Sequence, residues 1–364
     1  MKLLFVTGRE PAYVRNAMLL AALQANGVEL EDATDSSPAY PRRLAKVMAH
    51  FVSSLRSHGA ELDGVFVGFF GQPLMQLIGR MTSKPILFDA FLSAYDTMCF
   101  DRKRFSPDSA AGRFFFYLDK YACERADRVL LDTNSYIDYF VETFGVPRQK
   151  FQRVLVGADE RIFYPRERTR HDGKFQVFYY ASYLPLHGTE YIVQAAHELR
   201  DHSEIEFVLV GKGPRKREVQ ELSARLKLQN IRFIEWLPFA DLPQAMAEAD
   251  VCLGGHFSNI DKGKRVIAGK TYQFIAMRKP VIVGDGPGNH ELFEDGANAL
   301  FVPTADPRGL AAGILRLQRE PALAERIAAG GYETFLSHAS FAAITREMAD
   351  VLQAWRAAQP QLPR

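Results

Sequence analysis

The chain has 364 residues, 47% of them apolar and 24% charged, and a formal net charge of +2. This composition belongs to an ordinary folded protein of about two domains, and disorder is not needed to explain it. The near-neutral charge argues against a dedicated nucleic-acid binder, and no apolar run approaches the roughly 20 residues of a membrane-spanning helix.

Lys2–Thr7 reads as an opening strand and not as a signal peptide, because its apolar run stops at Gly8-Arg9-Glu10. Pro11 suits a first helical position, and Val14, Ala17, Met18 and Ala21 continue at helical spacing until Gly27. Residues 42–57 are basic and amphipathic, and Gly64–Phe70 and Pro85–Asp89 read as further strands. Residues 112–128 predict a long helix, Val129–Asp132 a strand, and Asn134 or Ser135 the start of a helix that stops at Gly145-Val146-Pro147. Residues 165–174 are polar, carry proline and glycine and show no apolar periodicity, which sets a domain boundary there. The expected domains are 1–165 and 166–340, with a C-terminal helix in 341–364 that either stands apart or returns to the first domain. Cys99, Cys123 and Cys252 are scattered, odd in number and without CxxC spacing, which fits buried thiols in a reduced, cytoplasmic protein.

The strand–helix alternation restarts at Phe175–Ala181 and Gly188–Leu199, then continues through strands Phe207–Val210, Ile231–Ile234 and Val251–Leu253, with Asp241 as the cap of a short helix. Two such runs predict two doubly wound α/β domains facing each other, with ligands beyond the carboxyl ends of the strands. Lys84-Pro85 and Lys279-Pro280 echo each other, each handing a helix over to a short apolar strand. The stretch Val266–Pro303 concentrates the chemistry: a helix opening at Gly269-Lys270-Thr271, the strand Val281–Val283, a glycine turn Gly284–Gly288, and Asn289 as the cap of a second helix. Helix N-termini and Lys270 together suit an anion, so a phosphate-bearing ligand is expected.

Further candidates carry two readings each. His187-Gly188 opens a helix after a strand, as a phosphate-binding turn or a plain loop histidine. Lys212 and the Lys262–Arg265 run are anion contacts or solvated loop cations. Asp89, at the end of its strand, is either a base or orienting carboxylate or, with Asp96, Asp101, Arg102 and Lys103, part of a structural ion-pair cluster. The segments 102–105 and 113–116 mix cations with aromatics, as core or as a contact with an anionic membrane. The dinucleotide fingerprint at Gly211-Lys212-Gly213 fails at Lys216, which disfavours a nicotinamide or flavin enzyme. No Walker loop, HExxH, GxSxG or Asp-x-Asp is present.

Tyr180–Ser182 with Pro185–Gly188, then Phe207–Pro214, Lys270–Ile282 and His290–Leu300, resemble the family 4 retaining glycosyltransferases of the GT-B fold, over nearly the full chain. The resemblance implies two Rossmann-like domains with parallel sheets facing across a cleft. It further implies transfer, with retention, of a sugar from a nucleotide diphosphate sugar held by the C-terminal domain. The acceptor, a glycan, a lipid-linked molecule or a small molecule, would sit on the N-terminal domain. No metal and no further cofactor are implied. The site residues it gives are Asp89 and Lys270 as catalytic groups and Gly8, Ser182, His187, Gly188, Lys212, Trp236, Lys264, Gln273 and Asn289 around the donor. Gln273 stands where many members have the second glutamate of a pair, about Arg265 where they have the first, and Asp89 where they have a histidine. Ser182 and His187 represent the family's arginine and lysine. These departures fit an unusual donor or an inactive relative; a non-hydrolysing nucleotide-sugar epimerase and a non-catalytic nucleotide-sugar binder are the rivals. The expected location is cytoplasmic, with a peripheral place at the inner face of the membrane as an option.

Overall fold

A computed structural model describes residues 1–357. Met1–Val156 together with Phe341–Ala357 form one compact unit, and Gly157–Ser340 form another.

The first unit alternates β1 (Lys2–Val6), α1 (Val14–Ala25), β2 (Glu29–Asp32), α2 (Tyr40–His58), β3 (Gly64–Val67), α3 (Gln72–Met81), β4 (Ile86–Asp89), α4 (Ala110–Arg125), β5 (Arg128–Leu131), α5 (Asn134–Phe144) and β6 (Phe151–Arg153). All six strands run parallel in the order β2-β1-β3-β4-β5-β6. Central strands β3 and β4 are buried along their whole length, as a sheet covered on both faces requires. Helix α1 starts at Val14 and not at Pro11, because the Tyr13 amide bonds to the Glu10 carbonyl and closes a turn first. Helix α4 starts at the Ser109 cap, whose hydroxyl accepts from the Gly112 amide.

The second unit contains β7 (Phe175–Tyr180), α6 (Thr189–Glu198), β8 (Ile205–Val210), α7 (Lys216–Arg225), β9 (Ile231–Ile234), α8 (Leu242–Ala247), β10 (Val251–Gly255), α9 (Asp261–Arg265), α10 (Gly269–Ala276), β11 (Val281–Gly284), α11 (Pro287–His290), β12 (Leu300–Val302), α12 (Pro307–Arg319) and α13 (Pro321–Thr334). Its parallel sheet has the order β12-β11-β10-β7-β8-β9, so the direction of winding reverses between β7 and β10. The polar segment 165–174 lies inside this unit. Glu248 accepts from the amides of Thr169 and Arg170 at 3.1 and 2.8 Å and holds it against the sheet's edge.

The chain then re-enters the first unit as α14 (Phe341–Ala357), which lies on α1. Asn26 donates to the Thr345 carbonyl at 2.9 Å, Glu347 accepts from the Leu155 amide at 3.0 Å, and Trp355 is fully buried against Gly64. The two Lys-Pro pairs do the same job in both sheets. Lys84 donates to the Leu62 carbonyl at 2.6 Å just ahead of β3, and Lys279 to the Ala249 carbonyl at 3.0 Å just ahead of β10. Each lysine thus satisfies a carbonyl at the entry of the neighbouring strand. No helix among the described residues is long and apolar enough to cross a membrane.

Candidate functional site

In a doubly wound sheet a ligand crevice opens where the strand order reverses, beyond the carboxyl ends of the two strands. In the second unit those strands are β7 and β10. From β7 the chain runs through Ser182 into a turn at Pro185–His187, and from β10 directly into His256. The two loops are tied together: the Phe257 amide donates to the His187 carbonyl at 3.2 Å and the Ser258 hydroxyl to the Leu186 carbonyl at 2.8 Å. Gly188 has φ +66°, and a Cβ there would overlap the Ser258 backbone, so only glycine fits this crossing.

The His187 and His256 rings stack with centroids 5.6 Å apart and planes 11° apart. The Leu184 amide donates to His187 Nδ1 at 3.2 Å, which leaves the ring proton on Nε2. Burial, reinforced by the Lys270 charge, pushes both imidazoles down: His256 to about 3 and His187 well below its ordinary value. Both are neutral at pH 7.

Lys270 is the second residue of α10 and is only 7% exposed. Its Nζ lies 4.7 Å from the Tyr179 ring centre and 6.0 Å from that of Tyr180. Among the described residues no carboxylate pairs with it, and burial pushes its pKa down to about 7. The adjacent Thr271 hydroxyl is buried without a hydrogen-bond partner. One turn on, Gln273 is buried and its Oε1 accepts from the Tyr180 hydroxyl. An ammonium without a counterion, an unused hydroxyl and a helix N-terminus therefore meet at the sheet's reversal point. That combination favours a bound anion.

Neighbouring strand ends extend the same edge. Lys212, after β8, sits 5.0 Å above the ring of Trp236, which follows β9 and is 65% exposed. Gly213 lets this loop close on the Ser182 carbonyl, which a Cβ would overlap. The Ser182 side chain itself is exposed. Among the described residues no three His, Cys, Asp or Glu side chains converge to hold a metal ion.

Several expectations need correction. Asp89 is not an open carboxylate: it is fully buried and accepts from Arg15, with Nη2 at 2.9 Å from Oδ1. Arg15 also donates to the Val154 and Leu155 carbonyls at 2.7 and 3.0 Å, so the pair clamps α1, β4 and the chain after β6. Its partner is thus Arg15, and not the Arg102 and Lys103 of the cluster expected from the sequence. Gly8, in the same unit, lets the β1 turn press against the Phe70 carbonyl, which a Cβ would overlap. Asn289 does not cap a helix; it lies within α11, whose N-cap is Gly286, and its amide donates to the Gly284 carbonyl at 2.8 Å. Its Oδ1 is buried without a partner. Lys264 turns to its own loop, 3.1 Å from Asn259 Oδ1 and 3.6 Å from Asp261.

His256, and the bond of Tyr180 to Gln273, escaped the sequence reading. His256 had a signal, since it directly follows the Gly-Gly end of a strand at the reversal point. The bond of Tyr180 to Gln273 had none, because an aromatic at a strand end reads as core.

Residues 174–320 match the family described as "Glycosyl transferases group 1". That match covers 147 of the chain's 364 residues, all of them in the second unit. The chain is 32% identical over 144 residues to the lipopolysaccharide core biosynthesis glycosyltransferase LpsD of Rhizobium meliloti, covering 39% of this chain and 40% of LpsD. It is 25% identical over 289 residues to the alpha-D-kanosaminyltransferase of Streptomyces kanamyceticus, covering 74% of this chain and 69% of that enzyme. The structure of Anabaena HepE, solved in complex with UDP, superposes with a TM-score of 0.72 at 16% identity, covering 97% of this chain and all of HepE. The chain thus has the GT-B fold. His187, Lys212, Trp236, His256, Lys270, Gln273 and Asn289 all fall inside the matched residues.

Proposed function

We propose that this GT-B protein is a glycosyltransferase that takes its sugar from a nucleotide diphosphate sugar bound along the carboxyl edge of the second unit's sheet. The observation that carries the reading is Lys270, an ammonium buried without a counterion at the start of α10. Burial penalises this charge, and an anion beside it would offset the penalty. A diphosphate at Lys270 and Thr271 leaves the base to run toward β8 and β9, where Lys212 and Trp236 stand. Three strand spacings separate β10 from β9, about 14 Å, enough for an extended nucleoside diphosphate. HepE's complex with UDP points to the same ligand class.

The chemistry follows from charge. As the sugar–phosphate bond breaks, negative charge grows on the leaving diphosphate, and Lys270 with the α10 amides stabilises it. Neither a metal nor a further cofactor enters this proposal, because protein cations carry the neutralisation. The acceptor hydroxyl attacks from the face the diphosphate leaves, which retains the anomeric configuration, and the departing phosphate takes the hydroxyl proton. The neutral His187 Nε2–H is a donor suited to the sugar's hydroxyls or phosphate oxygens. Gln273, its oxygen engaged by Tyr180, offers its amide hydrogens.

Thermal melts with UDP, GDP, ADP, CMP and dTDP test the donor site, since a ligand that binds only the folded state raises the melting point with its concentration. One nucleotide diphosphate should raise it clearly, and its sugar conjugate should then be consumed with an acceptor. No shift with any of them removes the donor reading.

A further inference from the structure

The first unit carries an apolar surface that the donor site does not use. Of eleven large apolar side chains exposed among the described residues, six fall between residues 77 and 117: Leu77, Met81, Phe100, Phe105, Phe114 and Tyr117. They come from α3, α4 and the segment leading into α4, and the two helices run side by side. Gln76 donates to the Leu118 carbonyl at 3.4 Å, and Arg125 to the Gly79 carbonyl at 2.6 Å. Phe114 and Tyr117 are 59% and 63% exposed, although the polar alternatives open to a solvated helix face are many.

This aromatic surface is anchored in the core. Phe114 meets Phe115 at 5.3 Å and Phe115 stacks on Phe105 at 5.7 Å. Tyr117 meets Phe116 at 5.3 Å, Phe116 meets Tyr95 at 5.5 Å, and Tyr95 meets Phe100 at 5.4 Å. Phe116 in turn touches Phe144, which is fully buried, at 5.2 Å. The exposed rings are therefore held in place and lose little freedom on contact.

The rim is cationic. Arg102, Lys103, Arg104 and Arg113 are all exposed, and between residues 102 and 117 they face the single acid Asp108. None of the four makes an ion pair among the described residues. A symmetric dimer through this face would bring two like-charged rims together, which is unfavourable. An anionic surface with an apolar interior meets both features at once: rings enter the headgroup boundary while arginines and lysine hold lipid phosphates.

We propose that this face docks the protein peripherally on an anionic lipid bilayer, with Phe114 and Tyr117 inserted and Arg102, Lys103, Arg104 and Arg113 on the headgroups. The inference stands apart from the donor site and is tested without turnover. The full chain is sedimented with phosphatidylcholine vesicles, with or without about a third phosphatidylglycerol. Binding is expected only with the anionic vesicles, strong at low salt and released by salt. Each cation near such a surface contributes about fivefold in affinity, so Arg102→Glu with Arg104→Glu should weaken binding by at least about 25-fold. Phe114→Ser with Tyr117→Ser should weaken it several-fold and keep the salt dependence. All four side chains are exposed, so both variants should keep the wild-type melting point. No sedimentation at low salt overturns the proposal, as does equal binding to neutral vesicles. So does a dimer in light scattering that the Phe114 and Tyr117 substitutions dissociate, because the face would then be a subunit contact.

Discussion

Replacing Lys270 by methionine should make the ligand-free protein more stable and its donor binding worse. A fall in pKa from 10.5 to about 7 measures what burial costs the charged form, roughly 5 kcal/mol at 1.36 kcal/mol for each pH unit. The cation–π contacts with Tyr179 and Tyr180 return about 2 kcal/mol of it, so Lys270→Met should gain about 3 kcal/mol at pH 6–7. For a unit of this size that is a rise of roughly 6–12 °C in melting temperature. The pH dependence is the sharper test. Between about pH 7 and 10.5 the unfolded chain holds a proton on Lys270 that the folded protein has released, so wild-type stability from this group rises with pH across that window. The advantage of the methionine variant should therefore shrink steadily from pH 7 to pH 10. Other titrating groups cancel in the difference between the two melting curves. Nucleotide diphosphate reverses the order: the charge then has its partner, and the variant should bind roughly 10–100-fold more weakly, as loss of a charged hydrogen bond of 1.5–3 kcal/mol implies. Wild-type affinity should itself fall above pH 7, where free Lys270 loses its proton, while His187 and His256 stay neutral throughout. The assay is differential scanning fluorimetry of both proteins at half-unit pH steps with and without the nucleotide that binds. A melting difference that does not change between pH 7 and 10, or an equal ligand shift in both proteins, refutes the reasoning.

Three more substitutions separate packing from chemistry. Asp89→Asn should cost about 3–5 kcal/mol, because it leaves the Arg15 guanidinium buried without its counterion; denaturant melts should show the loss while the nucleotide-induced shift in the second unit persists. Wild-type stability after Asp89→Asn would return Asp89 to the list of functional carboxylates. Gly188→Ala should cost at least about 2 kcal/mol through its left-handed backbone and the overlap with Ser258, and nucleotide binding should fall with it; an unperturbed melt would show that the two loops can part. Trp236→Ala should leave the melting point within about 1 °C, since the ring is mostly exposed, yet weaken nucleoside and nucleotide alike, by the 1–3 kcal/mol of a base stacked on an aromatic ring. Calorimetry showing the diphosphate part alone affected would move the base elsewhere.

What the sequence made legible follows period and punctuation. Buried parallel strands announce themselves as short apolar runs between glycine and proline, and Val281–Val283 and Ile86–Phe88 were readable for that reason. The place of Lys270 was readable too, since Gly269-Lys270-Thr271 was expected to open a helix and does. Asp89 was misleading because a strand-end carboxylate looks the same in sequence whether it faces water or a guanidinium 74 residues away. The partner, Arg15, sits on an amphipathic helix where arginine is ordinarily solvated, and nothing local marks it as 99% buried. Asn289 failed for a smaller reason: the glycine turn let the helix start three residues earlier, at Pro287 after the cap Gly286, and turned the expected cap into an interior residue.

The charge arrangement in the second unit bears on the altered family positions. A glutamate at residue 273 would face Lys270 one turn away and offer it a counterion, competing with any diphosphate. With glutamine there, the Tyr180 hydroxyl occupies the amide oxygen, and Lys270 keeps its charge free for the ligand. On the proposed function, the glutamine at 273 and the isolation of Lys270 would be one adaptation: contacts to the sugar or ribose would move from acceptors to donors, while phosphate binding would concentrate on a single buried cation. Gln273→Glu tests this directly. If it is right, the substitution should raise the Lys270 pKa, flatten the pH dependence of stability between pH 7 and 10, and weaken diphosphate binding about tenfold or more, as pairing worth about 1.5 kcal/mol in a buried site implies. An unchanged or tighter diphosphate affinity in Gln273→Glu would mean that the carboxylate reaches the ligand without touching the lysine, and the two departures would have to be explained separately.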